Sequence, residues 1–184
     1  DKSTRTIFGD GAAAILISQG EKDGIREFIL GSDGSGAENL IIPAGGMKLK
    51  HSDQTIVELE DENGSTRSKE NIYMNGPEIF NFTIKVVPET VNNVLLKNNL
   101  VLEEIDLVVF HQANQYMLSY LRKKIKIPED KFYINLEDTG NTVSASIPIA
   151  LKMAEQEGRL KKGYKVLIVG FGVGLSWGAT IIEW

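Results

Sequence analysis

Apolar and polar positions alternate along this chain in a way that divides it into strands and helices. Residues 7–18 pass from "IFGDG" into a small and β-branched run at 12–17, which predicts a buried strand. "GIREFILGSDG" predicts a second strand that turns at the cluster "GSDGSG". Residues 33–70 follow as a long excursion, Gly-rich at first and then charged and weakly patterned through "HSDQTIVELEDENGSTRSKEN". Loops of this length in a folded domain are usually covers or mobile segments, and a solvated surface insertion is the plainer reading here. From Gly76, the residues Ile79, Phe80, Phe82, Ile84, Val87, Val91, Val94 and Leu95 fall mostly on one helical face. That spacing predicts a helix of roughly 20 residues. Pro77 suits its first turn, while Pro88 predicts a kink or a restart.

The second half alternates more tightly. "IDLVVFH" reads as a strand covered on both faces, and "NQYMLSYLRKKIKI" as a helix stopping before Pro128. "KFYINL" is strand-like, and "TVSASIPIALKMAEQEGRL" is a helix with small residues early and a stop near Gly158. "YKVLIVGFGVG" and "LSWGATIIEW" are two final strands joined across a glycine-rich bend. Apolar strands interleaved with helices predict an α/β layered domain, with helices on both faces of one sheet. No internal repeat or linker divides it, so residues 1–184 are expected to form one domain.

Composition narrows the chemistry. The chain is 42% apolar and 24% charged, an ordinary globular balance, and its net charge of −5 argues against nucleic acid or an anionic membrane as partner. No apolar run reaches the ~20 residues that a bilayer-spanning helix needs, and there is no basic, apolar leader. Cysteine is absent, so this chain supplies no disulfide, thiolate site or cysteine nucleophile. Its two histidines, His51 and His111, are far apart and make a poor start for zinc. The first residue is not Met and an element begins almost at once, from which we expect a piece of something longer.

Ligands of α/β sheets gather outside the carboxyl ends of the strands. Three features belong there: His111 after residues 105–110, Asn141 in the turn "EDTGNTVSAS", and the bend "GFGVG" after residues 166–169. Singly, each has a bland reading as a structural His, a cap and a turn. Jointly, an imidazole donor, amide N–H groups and backbone N–H groups around one cavity suit a developing oxyanion. No nucleophile accompanies them. Ser144 and Ser146 read as packed core of a small-residue helix.

"FGDGAAAILI", "YMNGPEIFNF", "VVFHQANQYM", "DTGNTVSASIPIAL" and "GFGVGLSWGATIIEW" closely resemble the carboxyl-terminal half of 3-oxoacyl-[acyl-carrier-protein] synthase III, in that family's order and across nearly the whole chain. The resemblance implies a thiolase-like half, a five-stranded mixed sheet between helices, in a cytoplasmic homodimeric acyltransferase of fatty-acid biosynthesis. It implies a decarboxylating Claisen condensation of an acyl thioester, from coenzyme A or a carrier protein, with malonyl-acyl carrier protein. No cofactor is implied. By motif, His111 and Asn141 would donate to the malonyl thioester carbonyl, and the Val173 backbone N–H would serve the oxyanion hole of the acyl-Cys. Asn114 matches a position touching the pantetheine arm, and Gly76 and Phe80 a tunnel lining. The loop 33–70 would help to keep water out.

The resemblance places the nucleophilic Cys in an amino-terminal half that these residues do not include, so the fragment alone is expected to be inactive. Two positions depart from the family: Tyr116 stands where Arg is common on the carrier-docking rim, and Val173 where Gly is frequent. Arg122, Lys123 and Lys124 either compensate for Tyr116 or form a solvated face, the plainer reading. Two rivals stay open. One is a condensing enzyme of secondary metabolism with other acyl and extender units; the other is a non-catalytic partner subunit, which retention of both His111 and Asn141 disfavours.

Overall fold

A computed structural model describes residue 2 and residues 4–184. In chain order the elements are β1 (Ile29–Ser32), β2 (Leu40–Ile41), β3 (Leu59–Glu60), β4 (Thr66–Arg67), β5 (Tyr73–Met74), α1 (Gly76–Lys97), β6 (Leu107–Phe110), α2 (Gln115–Ile125), β7 (Phe132–Tyr133), α3 (Ser146–Gln156), β8 (Lys165–Gly172) and β9 (Ser176–Glu183). Five strands form one sheet in the order β1-β9-β8-β6-β7. β6 runs parallel to both β7 and β8, while β9 is antiparallel to β8 and β1. The mixed five-stranded sheet between helices is therefore present.

The apolar patterning explains the layers. Alternate residues of the central strands point to opposite faces. Val108, Phe110, Leu167, Val169 and Ile181 pack with Val87, Val91 and Val94 of α1 and Leu118 and Leu121 of α2. Leu107, Val109 and Val166 pack on the other face with Ala150, Leu151 and Ala154 of α3. All four residues of β6 are buried, as a strand covered on both faces requires. At the β1 edge, Gly31 pairs with Trp177, and a β-carbon on Gly31 would fall 2.3 Å from the indole. Glycine there lets the Trp177 ring lie across β1 and meet Phe82 of α1, ring centroids 5.8 Å apart.

α1 starts where Asn75 accepts the Glu78 N–H and Pro77 fills the first turn. It then runs 22 residues through Pro88, so of the two expected outcomes the restart does not occur. The reason lies on α2. Pro88 has no N–H for the carbonyl of Ile84 four residues back, and Lys124 Nζ donates to that oxygen at 2.7 Å. A side chain of the neighbouring helix replaces the missing backbone donor.

The amino-terminal strand is a second correction. Residues 11–20 form no strand among the described residues and are exposed, with Leu16 93% accessible. An apolar run becomes a strand only if a neighbour takes its N–H and C=O groups, and no described strand does so. Upstream, Phe8 bridges to Asn141, the one ladder contact of this segment among the described residues. Downstream, the second expected strand is β1, preceded by a bridge from Ile25 to Ile182. The excursion 33–70 is mostly irregular but not free of structure. β2 pairs with β5 and β3 with β4, and His51 Nδ1 lies 2.8 Å from Glu70 Oε1.

Candidate active site

The three polar residues that follow β6, His111, Gln112 and Asn114, are satisfied one by one. The His111 N–H donates to the Val169 carbonyl at 2.8 Å, carrying the β6–β8 ladder one residue past the strand. Gln112 is buried, and its Nε2 donates to the Phe110 carbonyl at 2.7 Å. Its Oε1 accepts the Asn135 N–H at 2.7 Å, so one side-chain amide joins the end of β6 to the chain after β7. Asn114 caps α2 by accepting the Met117 N–H at 2.8 Å. With these bonds the desolvation cost of burying the cluster is met.

Asn141 is held as firmly from another direction. Its N–H donates to the Ile7 carbonyl at 2.9 Å and its carbonyl accepts the Gly9 N–H at 3.0 Å. Its side-chain oxygen accepts the Val143 N–H at 2.8 Å. Only the amide oxygen can accept, so this bond orients the group and leaves the Nδ2 hydrogens as its outer end. Val143 adopts a left-handed φ of 53°. A β-branched residue there costs about 1–3 kcal/mol, and such strain clusters at functional sites.

His111, Asn141 and Val173 line one cavity of about 500 Å³ at the carboxyl ends of β6 and β8. Phe8, Leu30, Leu40, Phe171 and Trp177 give it apolar walls. Leu40 comes from the excursion, so that segment contributes to the enclosure. The His111 ring meets Phe171 edge to face, 5.5 Å between centroids, and its Nδ1 lies 2.7 Å from Ser146 Oγ. Burial pushes the His111 pKa down to about 4, with the Val143 carbonyl beside the ring opposing the shift. The imidazole is therefore neutral at pH 7 and can act as a hydrogen-bond donor without carrying charge. Val173 sits on the bend between β8 and β9. There Gly174 has a φ of 139°, and a β-carbon would fall 2.3 Å from Ser176 Oγ. Neutral N–H donors in an apolar enclosure suit charge that develops on an oxygen. Among the described residues no group of three or more His, Cys, Asp or Glu is arranged to hold a metal.

The other three sequence-expected residues lie elsewhere. Gly76 borders a separate polar cleft with Asn75 and Pro77. Phe80 packs against Tyr116 and Tyr120, 5.7 and 5.3 Å between centroids. Asn114 spends its amide oxygen on the α2 cap, and none of the three lines the His111 cavity. Tyr116 is 72% exposed. Of the three basic residues after it, Lys124 is committed to Ile84 and Arg122 to the Ile127 carbonyl and Glu129, which limits any compensation for a missing Arg. Sequence reading missed Ser146 as a partner of His111. It correctly placed Ser146 in packed surroundings but not Ser144, which is exposed at the cavity's edge, and nothing in residue spacing announces a hydroxyl turned toward a ring 35 positions away.

Among the described residues no helix is long and apolar enough to cross a membrane. Residues 95–184 match the family model for the 3-oxoacyl-[acyl-carrier-protein] synthase III C terminal, and residues 1–34 match a second model, 3-oxoacyl-[acyl-carrier-protein] synthase III. The beta-ketoacyl-[acyl-carrier-protein] synthase III of Clostridium acetobutylicum is 41% identical over all 184 residues, which cover 54% of that protein. A crystal structure of a 3-oxoacyl-(acyl-carrier-protein) synthase III superposes with a TM-score of 0.94 at 43% identity, over the whole of this chain and 55% of that one. The priming beta-ketosynthase of the R1128 polyketide pathway superposes at 0.81 with 29% identity, over the whole of this chain and 52% of that one. The chain thus spans about half the length of the relatives it matches.

Proposed function

Because the chain belongs to the 3-oxoacyl-[acyl-carrier-protein] synthase III family, with its thiolase-like fold, we propose that it is the carboxyl-terminal catalytic part of a decarboxylating condensing enzyme of fatty-acid synthesis. The observation that carries this reading is the meeting of His111 and Asn141 at one apolar cavity, the ring held at Nδ1 by Ser146 and the amide oriented through its oxygen by the Val143 N–H. In the proposed reaction the bond between the malonyl α-carbon and its carboxylate breaks, carbon dioxide leaves, and the electron pair flows into an enolate. His111 and Asn141 donate hydrogen bonds to the thioester oxygen that gains the charge. The enolate carbon then attacks an acyl thioester, whose oxygen is held by the Val173 backbone N–H as the sulfur departs. Fixed donors favour this step because their orientation is set before the charge appears. The apolar walls keep water from capturing the thioester.

The acyl group would be carried on a Cys from protein outside these 184 residues, since this chain has none. Acyl-coenzyme A and acyl carrier protein are the proposed substrates, Asn114, Gly76 and Phe80 the proposed lining of the pantetheine approach, and a homodimer the proposed assembly. The isolated chain is expected to be inactive. Exposed Tyr116 on the proposed docking rim favours one second reading, a condensing enzyme with other acyl or extender units. Incubating the full-length protein with a panel of acyl-coenzyme A thioesters and following covalent acylation by mass spectrometry, then condensation with malonyl-acyl carrier protein, tests both. Acylation and a 3-oxoacyl product support the proposal. Acylation without condensation on malonyl thioesters favours the second reading, and no acylation rejects both.

A further inference from the structure

Ser146 stands at the start of α3 and is 3% exposed. Its Oγ lies 3.3 Å from the Gln112 backbone nitrogen and 2.7 Å from His111 Nδ1. A backbone N–H can only donate, so toward Gln112 the hydroxyl is an acceptor. Its own proton still needs a place. Helix hydroxyls often return theirs to the carbonyl four residues back; Thr83 and Thr90 of α1 do so, to Ile79 at 2.7 Å and Val86 at 2.9 Å. Ser146 makes no such bond among the described residues, because its Oγ is turned to the imidazole. The opposite assignment, with Nδ1–H donating to Oγ, would leave a buried hydroxyl proton without an acceptor, at a cost of about 1–3 kcal/mol.

We infer that Ser146 is a positioning residue that donates its hydroxyl proton to His111 Nδ1, so that the ring's one N–H sits on Nε2 and is available to the cavity. The inference deepens the proposed function and rests on it for its catalytic meaning. Which nitrogen of a neutral histidine carries the proton is set by the bond made at the other nitrogen. Gln112 contributes by donating its backbone N–H to Oγ, so that the hydroxyl's own proton is left for the ring. A His111 with its proton on Nδ1 would present a lone pair, not a donor, to a thioester oxygen gaining negative charge. His111 is neutral at pH 7, so one nitrogen is free to accept.

The test is selective 15N-histidine labelling of the full-length protein, with the His111 signals assigned by their loss in His111→Gln. The expected wild-type spectrum has a pyridine-like Nδ1 and a protonated Nε2. In Ser146→Ala the ring should become a mixture of tautomers, while Ser146→Thr, which keeps the hydroxyl, should retain the wild-type form. Condensation should follow: kcat falls about 10-fold in Ser146→Ala with KM unchanged, in the range seen when the orienting partner of a functional histidine is removed, and Ser146→Thr restores it. A wild-type proton on Nδ1 overturns the inference, as does a wild-type tautomer in Ser146→Ala. If Ser146→Ala does not fold, the wild-type spectrum alone decides between the two tautomers. The tautomer is read without substrate, so a protein with the expected spectrum and no condensation activity rejects the proposed function and leaves this inference standing.

Discussion

Two apolar stretches of nearly equal sequence character end up in opposite environments. The run at 105–110 becomes β6, buried on both faces and laddered to β7 and β8. The run at 12–17 pairs with no described strand, and Ile15, Leu16 and Ile17 are 65%, 93% and 71% exposed. The contrast teaches that apolarity states a need for burial without naming what does the burying. β6 finds its cover within the chain, in α1, α2 and α3. The amino-terminal run has its cover, on the proposed reading, in the remainder of a protein about twice as long.

The largest expected effect tests that difference. Replacing Ile15, Leu16 and Ile17 together with Ser should destabilise the full-length protein by several kcal/mol, since each buried side chain of this size is worth about 1.5–3 kcal/mol. The same triple change in the 184-residue chain should move stability by no more than about 0.5 kcal/mol per site. Denaturant unfolding of both forms checks this, and equal losses in both would break the comparison.

The next effect concerns pH. His111 has a folded pKa of about 4, lowered by burial from its ordinary 6.5. Between these values the unfolded chain binds the proton and the folded chain does not, so stability rises with pH across this window. The contribution is flat above about pH 6.5. Below about pH 4 the whole penalty is present, on the order of 3 kcal/mol for a shift of this size. Unfolding midpoints at pH 4.5 and 7.5 should therefore differ more in wild type than in His111→Gln. An equal dependence would mean that the ring is not buried as described.

A smaller effect sharpens the account of α1. Lys124→Met should cost about 0.5–1.5 kcal/mol by removing the hydrogen bond to the Ile84 carbonyl. In a Pro88→Ala background the restored N–H supplies that carbonyl, and the same Lys124 change should cost much less. A thermal-melt double-mutant cycle reads the coupling, and additive losses would reject it. Smallest of all, Val143→Gly should stabilise the chain by about 1 kcal/mol through relief of its left-handed backbone. It should also loosen the N–H that orients Asn141.

These cases show which parts of the molecule were legible in the sequence. Periodicity placed α1, β6, α2, α3 and the β8–β9 pair, because their apolar faces are covered within the chain. The strand-end rule brought His111, Asn141 and Val173 together correctly, because parallel strands deliver their carboxyl ends to one side. That Pro88 brings no restart was not legible, because its remedy, Lys124, is on another helix. Ser146 was hidden for a related reason: a buried serine looks the same in sequence whether it fills space or directs a proton. Asn114, Gly76 and Phe80 followed from resemblance alone, and the structure sets them apart from the His111 cavity.

The central claim is that the N–H groups of His111 and Asn141 together stabilise the charge left when a malonyl thioester loses carbon dioxide. Carbon dioxide release from malonyl-acyl carrier protein, measured on the full-length protein without an acyl donor, isolates that step from acyl transfer. The account predicts that His111→Ala and Asn141→Ala each lower this rate about 10²–10³-fold, as the loss of one such donor does elsewhere, in proteins that unfold at near wild-type temperature. Release at the wild-type rate in either folded variant would contradict it.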